Sequence, residues 1–188
     1  MPTITPGAGR IKRLKQDLAD IRALSEKCPA IKFRVLDDSD APERYEISFY
    51  LRTIIGIEND IPLIRDAATP SVFIFDLSNY PFSYIRTSSI STPVPFHPCF
   101  NECGQFDYSK FDLCFGGAPF AMHVIKVAKA LQFEYISSSS FNSDANYWIA
   151  EHEHENIFPC DKNIIPEYED IIQKLTNYYW LRYLRRGY

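Results

Sequence analysis

Between residues 10 and 26, apolar side chains recur at Ile11, Leu14, Leu18, Ile21 and Leu24. This 3.6-residue spacing predicts an amphipathic helix with one buried stripe. Lys12, Arg13 and Lys15 fall on its outer side. Cys28-Pro29 ends it, because the proline ring disfavours helical backbone at the residue before it. The period then changes to two. Tyr45, Ile47, Phe49 and Leu51 alternate with Glu46, Ser48, Tyr50 and Arg52, the pattern of a strand with one buried face. Residues 32–36 predict a short strand before it. Residues 71–77 (SVFIFDL) are apolar on both faces and predict a central, fully covered strand. Residues 84–91 predict a fourth, more polar strand. The connections suit an antiparallel meander, and the longest of them, residues 54–70 with Gly56 and Pro62, reads as a loop.

Residues 91–119 carry no period and are rich in Pro, Gly, Cys and Phe. Long structureless segments within compact domains are uncommon and often functional. Pro119 opens a helix at its favoured first position, with Phe120, Val124, Val127 and Leu131 on the buried face. Residues 137–140 form a polar loop, residues 144–152 a short helix carrying Trp148, and a last helix runs from Pro166 to about residue 186 with Ile171, Leu175 and Tyr178 on one stripe. Helix, four strands, irregular segment and helices together predict an α+β fold, with an antiparallel sheet covered on one face by helices. Residues 1–9, with two Pro and two Gly, read as a loose tail.

Composition narrows the function classes. The chain has 188 residues, which suits one domain with a core that needs no metal or disulfide. With 46% hydrophobic residues and only 7 Gly, it is neither collagen-like nor disordered. A net charge of −4 argues against a general nucleic-acid binder. Basic residues nonetheless cluster at the two ends: Arg10, Lys12, Arg13 and Lys15, then Arg182, Arg185 and Arg186. No apolar run reaches the roughly 18–20 residues that span a bilayer, so no membrane partner is expected. The five cysteines are odd in number and form no Cys-x-x-Cys pair, which fits a reduced, cytoplasmic protein with free thiols. Neither a metal nor a cofactor is expected. Glu151-His152-Glu153-His154-Glu155 lacks the i,i+4 histidine spacing of a helical metal site and reads as a solvated helix end. Pro6-Gly7-Ala8-Gly9 is too short for a phosphate loop, and His123 reads as an ordinary helix residue.

Several motifs in order carry a resemblance. RIKRLKQDLADI at residues 10–21, PSVFIFDLSNYPFS at 70–83, TPVPFHP at 92–98 and GQFD at 104–107 are similar to successive parts of the ubiquitin-conjugating enzyme family. These parts are its first helix, its third strand with the Tyr-Pro-Phe turn, the lead-in to its active-site segment with the His-Pro pair, and its Gly-x-Ile-Cys. The match covers roughly residues 10–135. It implies the family's fold over residues 10–188 as a single domain, with extra C-terminal helices at about 140–188. The loose match fits a distant branch of the family, of bacterial type.

The departures are informative. Where the family has His-Pro-Asn, this chain has His97-Pro98-Cys99, and ten residues after His97, where the family keeps its catalytic cysteine, stands Asp107. In the family a thiolate carries the ubiquitin C-terminus as a thioester, because it attacks readily and leaves well. The motif Asn donates a hydrogen bond to the oxyanion, a contribution of about 2.7–4 kcal/mol in comparable sites. Asp107 cannot form a thioester, and Cys99 is a poor donor. The resemblance thus implies a non-catalytic variant that binds a ubiquitin-like protein, an activating enzyme or an active conjugating enzyme. The alternative is a displaced nucleophile. Phe96-His97-Pro98-Cys99 resembles the His-Pro-Cys motif of autophagy-type conjugating enzymes, which makes Cys99 the first candidate, followed by Cys114 and Cys103. In the family His97 organises the loop. The first helix meets the activating enzyme, which makes Lys12, Arg13 and Lys15 binding candidates alongside Tyr80, Pro81 and Phe82. Residues 178–188 are aromatic and basic, a composition enriched at protein interfaces.

Overall fold

The computed structural model describes residues 7–109, 111, 118–135, 141–152, 155, 158, 161 and 164–172. The first helix, α1 (Ala8–Lys27), buries Leu14, Ile21 and Leu24 on the expected stripe. It ends at Cys28, whose N–H donates to the Leu24 carbonyl at 2.8 Å. Four strands then form one antiparallel sheet: β1 (Ile31–Val35), β2 (Arg44–Phe49), β5 (Ser71–Asp76) and β6 (Arg86–Ser89), in the order β1-β2-β5-β6. The register aligns Phe33 with Ile47, Ile47 with Phe73, and Phe73 with Ser89. Tyr45, Ile47 and Phe49 of β2 and Phe73 and Phe75 of β5 point inward and are wholly buried. Val72 and Ile74 are only half-buried, so β5 is central but covered on one face. Among the described residues the helices that cover the sheet pack on the side of Phe73 and Phe75, and Val72 and Ile74 on the other face stay half-buried. The fourth strand is also shorter than residues 84–91.

Residues 54–70 are not the loop that the sequence suggests. They hold most of a hairpin, β3 (Thr53–Glu58) and β4 (Ile61–Arg65), inserted between β2 and β5. Asn59 and Asp60 make its two-residue turn with φ of 50° and 66°. Two left-handed residues in succession match the right-handed twist of the flanking strands. A bulge between Ile54 and Gly56 and a proline at position 62 obscure the alternation.

Helix α2 (Phe120–Leu131) lies beside α1 and closes the core. The Phe120 ring meets Tyr45 at 4.7 Å and Phe75 at 5.5 Å. The N–H of Phe120 is capped from α1, where the Asp17 carboxylate accepts it at 3.0 Å. Helix α3 (Ser143–His152) packs against the hairpin through a second apolar cluster of Ile54, Phe133, Trp148 and Ile149, which Ile57, Phe96 and Phe158 border. Helix α4 (Tyr168–Ile172) lies against α1. The rest of the expected final helix, with Arg182, Arg185 and Arg186 and the aromatic end at 178–188, lies outside the described residues. Among the described residues no helix is long and apolar enough to cross a membrane.

Candidate functional site

His97 is wholly buried and braces the irregular segment. Its Nδ1 accepts the Cys99 N–H at 3.1 Å, and its Nε2–H donates to the Tyr135 carbonyl at 2.9 Å. One nitrogen accepting and the other donating defines the neutral Nε2–H tautomer. Burial agrees with this, pushing the imidazole pKa down to about 4. The ring also packs edge-on against Phe133 at 4.9 Å. His97 therefore ties the segment to the chain that follows α2.

Cys99 is also wholly buried. Its carbonyl accepts the Asp107 N–H at 2.9 Å, which brings the two positions side by side through the backbone. Between them the chain folds back on itself, with Phe100 bridged to Phe106. Asn101 closes the turn by accepting the Gln105 N–H at 2.8 Å. Gly104 is required at this turn. Its φ is +76°, and a Cβ there would lie 2.8 Å from Ser89 Cβ. This close approach lets the Gly104 carbonyl accept the Ser89 N–H at 2.8 Å and the Thr87 carbonyl accept the Phe106 N–H at 3.1 Å. The segment is thereby zipped onto the outer edge of β6.

Asp107 ends up on the wall of a groove of about 320 Å³ between β6 and residues 105–109. Tyr84, Arg86, Thr87, Tyr108 and Phe141 also line it. One carboxylate oxygen of Asp107 accepts the Ser109 N–H at 2.8 Å, and the side chain is nearly buried. Tyr108 meets the Thr87 hydroxyl at 2.7 Å inside the wall. Sequence reasoning did not find Arg86, Tyr108 or Phe141. They come from β6, the irregular segment and the chain before α3, parts far apart in sequence that meet only at the groove. Cys103 is exposed at the turn, away from the groove lining. Cys114 lies outside the described residues. Among the described residues no cysteine lines the groove and no group of His, Cys, Asp and Glu has the geometry to hold a metal.

The other candidates divide into exposed and enclosed positions. Phe82 is 83% exposed at the turn after β5, whereas Tyr80 is buried and Pro81 half-buried. The Tyr80 hydroxyl donates to the Ala118 carbonyl at 2.9 Å. Arg10 holds the turn from the other side, donating to the carbonyls of Tyr80 at 2.8 Å and Ser78 at 2.8 Å and pairing with Glu43 at 2.5 Å. Lys12 and Lys15 are exposed on α1, with Lys15 paired to Asp40 at 2.5 Å. Arg13 instead turns inward to Asp17 at 3.1 Å and lies over the Tyr80 ring.

No protein-family profile and no curated protein matches the chain. A solved structure described as "Novel Ubiquitin-Conjugating Enzyme" is similar to it, with a TM-score of 0.51 and 14% sequence identity. The match covers 79% of this chain and 94% of that one. At this identity the likeness is one of architecture, and it agrees with the N-terminal helix, the four-stranded antiparallel sheet and the later helices described above. The chain has the α+β fold of a ubiquitin-conjugating enzyme.

Proposed function

We propose that the protein is a non-catalytic member of a ubiquitin-like conjugation pathway. In this reading it binds a ubiquitin-like protein, an activating enzyme or an active conjugating enzyme, and forms no thioester itself. The observation that carries the reading is the exchange of side chains at the groove. Asp107 stands on the groove wall, while the thiol of Cys99 is enclosed in the core. A thioester needs a thiolate that can reach a C-terminal glycine. A sealed thiol is out of contact with substrate. A carboxylate on the wall repels an oxyanion rather than stabilising it. The groove would receive an extended C-terminal tail without reacting with it. Lys12 and Lys15 on α1, and Phe82 on its turn, would meet the protein partners.

The test is a charging reaction of the full chain with activating enzyme, ATP and a panel of ubiquitin-like proteins. No thiol-reducible adduct should form. NMR titration with the same panel should identify one protein that binds, and Phe82→Ala or Lys12→Glu with Lys15→Glu should weaken a partner contact. An adduct that Cys99→Ala, Cys103→Ala or Cys114→Ala abolishes would replace this reading with that of an active transferase using a displaced cysteine. The exposure of Cys103 is what keeps that second reading open.

A further inference from the structure

At the far end of the β3–β4 hairpin, the turn meets the last residue of α3. Asp60, the second turn residue, accepts the Trp148 indole N–H on one oxygen at 2.9 Å. Its other oxygen lies 3.3 Å from His152 Nε2. His152 Nδ1 lies 2.8 Å from the Trp148 main-chain carbonyl. The imidazole stacks on the indole with ring centroids 4.4 Å apart and an interplanar angle of 19°.

Hydrogen-bond chemistry then fixes the proton count. A main-chain carbonyl and an ionised carboxylate can only accept. Both imidazole nitrogens face such acceptors, so both must carry a proton for both contacts to be favourable. A neutral ring has one N–H and leaves a lone pair directed at either the carboxylate or the carbonyl. Two further features favour the imidazolium: the indole face beneath it and its place in the last turn of a helix. We propose that Asp60, Trp148 and His152 form a proton-operated latch, which holds the hairpin tip on α3 while the imidazole is doubly protonated and loosens when one proton passes to solvent.

The surroundings agree. Among the described residues the charged groups acting on His152 are Asp60 from the hairpin turn and Glu155 from the chain after α3, both acidic. The hydrogen bond to the Trp148 carbonyl, then these two carboxylates, raise the His152 pKa above its ordinary value near 6.5. A group with a raised folded-state pKa contributes stability that is fully present below its unfolded value and is lost as pH rises through the folded one. The latch is therefore shut in mild acid and released in alkali. It also sits behind the candidate site. Trp148 packs edge-on against Phe96 at 6.4 Å, the Phe96 N–H donates to the Ile54 carbonyl at 2.8 Å, and His97 follows Phe96 in the chain.

The experiment is amide and indole hydrogen exchange on the full chain, at about pH 5.5 and about pH 8.5, corrected for intrinsic exchange. In the wild type, protection of the tip amides at 57–61 and of the Trp148 indole N–H should fall roughly two- to fivefold at the higher pH, the range set by exposed ion pairs. His152→Gln should remove this pH dependence. So should Asp60→Asn, which keeps an acceptor for the indole and a residue that tolerates the left-handed turn. The second variant decides the matter if the first does not fold. No fall in the wild type, or an equal fall in wild type and Asp60→Asn, overturns the latch.

Discussion

Around Asp17, α1, the start of α2 and the turn at Tyr80 meet with water excluded. Around Asp60 and His152, the hairpin tip and α3 meet at the surface. Asp17 is wholly buried and accepts from Arg13 and from the Phe120 N–H, yet burial still outweighs those partners and raises its pKa to about 6. His123, stacked edge-on to Tyr80 in the same region, is pushed down to about 4 by burial. Both groups are driven toward neutrality, one by favouring its proton and the other by shedding it. His152 moves the opposite way, because its hydrogen bond to the Trp148 carbonyl and its acidic neighbours outweigh the burial of the ring. Asp60 is 70% exposed at its side chain. Desolvation thus decides the sign inside, and pairing decides it outside. The first region is expected to contribute global stability and the second to adjust one appendage.

The strongest test of that difference truncates the residue whose backbone N–H donates to the Asp17 carboxylate. Phe120→Ala deletes a wholly buried ring that touches Tyr45 and Phe75, and it should cost about 3–5 kcal/mol of global stability in chemical denaturation. It should also admit water and let the Asp17 pKa fall back toward its ordinary value near 3.8. A loss below about 1 kcal/mol, outside the usual range for such truncations, would show that this ring is not part of the cooperative core, and an unmoved Asp17 pKa would show that it does not keep water from the carboxylate.

Next in size is a pH dependence. Asp17 has a folded pKa of about 6 against an ordinary 3.8, so its proton is bound more tightly in the folded state. Stability from this group is fully present below about pH 4 and is lost as pH rises through about 6, an effect on the order of 3 kcal/mol. Asp17→Asn keeps an acceptor for the Phe120 N–H and cannot titrate. Unfolding free energies measured from acid to neutral pH should therefore decline more steeply in the wild type than in the variant. Equal slopes in the two proteins would remove Asp17 as the source and leave the enclosed region without its distinguishing property.

The parts of the fold that could be read in the sequence are those built from local repetition. The stripe Leu14, Ile21 and Leu24 and the alternation Tyr45, Ile47 and Phe49 each record a single element facing a single core. Residues 54–64 record two elements facing a smaller cluster. A bulge at Ile54/Gly56 and Pro62 break the alternation, and the turn is Asn-Asp rather than Asn-Gly. Those two left-handed positions were the available signal for a hairpin. The placement of the site segment was legible only in outline. His97, Gly104 and Asp107 were legible only through their resemblance to the ordered motifs of the conjugating-enzyme family, whereas the burial of Cys99 and the groove wall of Arg86, Tyr108 and Phe141 depend on contacts between distant parts of the chain. The buried Asp17 lay outside local reading altogether, since its partner Phe120 is 103 residues away. His152 was hidden for the opposite reason. Its acidic neighbours in sequence suggest a solvated end, whereas the carboxylate that engages it comes from a turn 92 positions earlier.

The smallest effect separates the two regions most cleanly. Trp148→Phe keeps an apolar ring beneath His152 and in contact with Phe96, and removes the indole N–H that Asp60 accepts. The freed oxygen of Asp60 is open to water, so the cost should sit near the ordinary net value of one hydrogen bond, about 0.5–1.5 kcal/mol. That cost should appear as faster exchange of the hairpin-tip amides, while the amides shared by β2 and β5 and the denaturation midpoint stay close to wild type. The main-chain carbonyl of residue 148 still accepts from His152, so the pH dependence of the tip should persist in weakened form. If instead the midpoint drops as far as it does with Phe120→Ala, the hairpin, α3 and the central sheet unfold as one cooperative unit. The surface cluster would then belong to the global fold rather than to a separate, adjustable appendage.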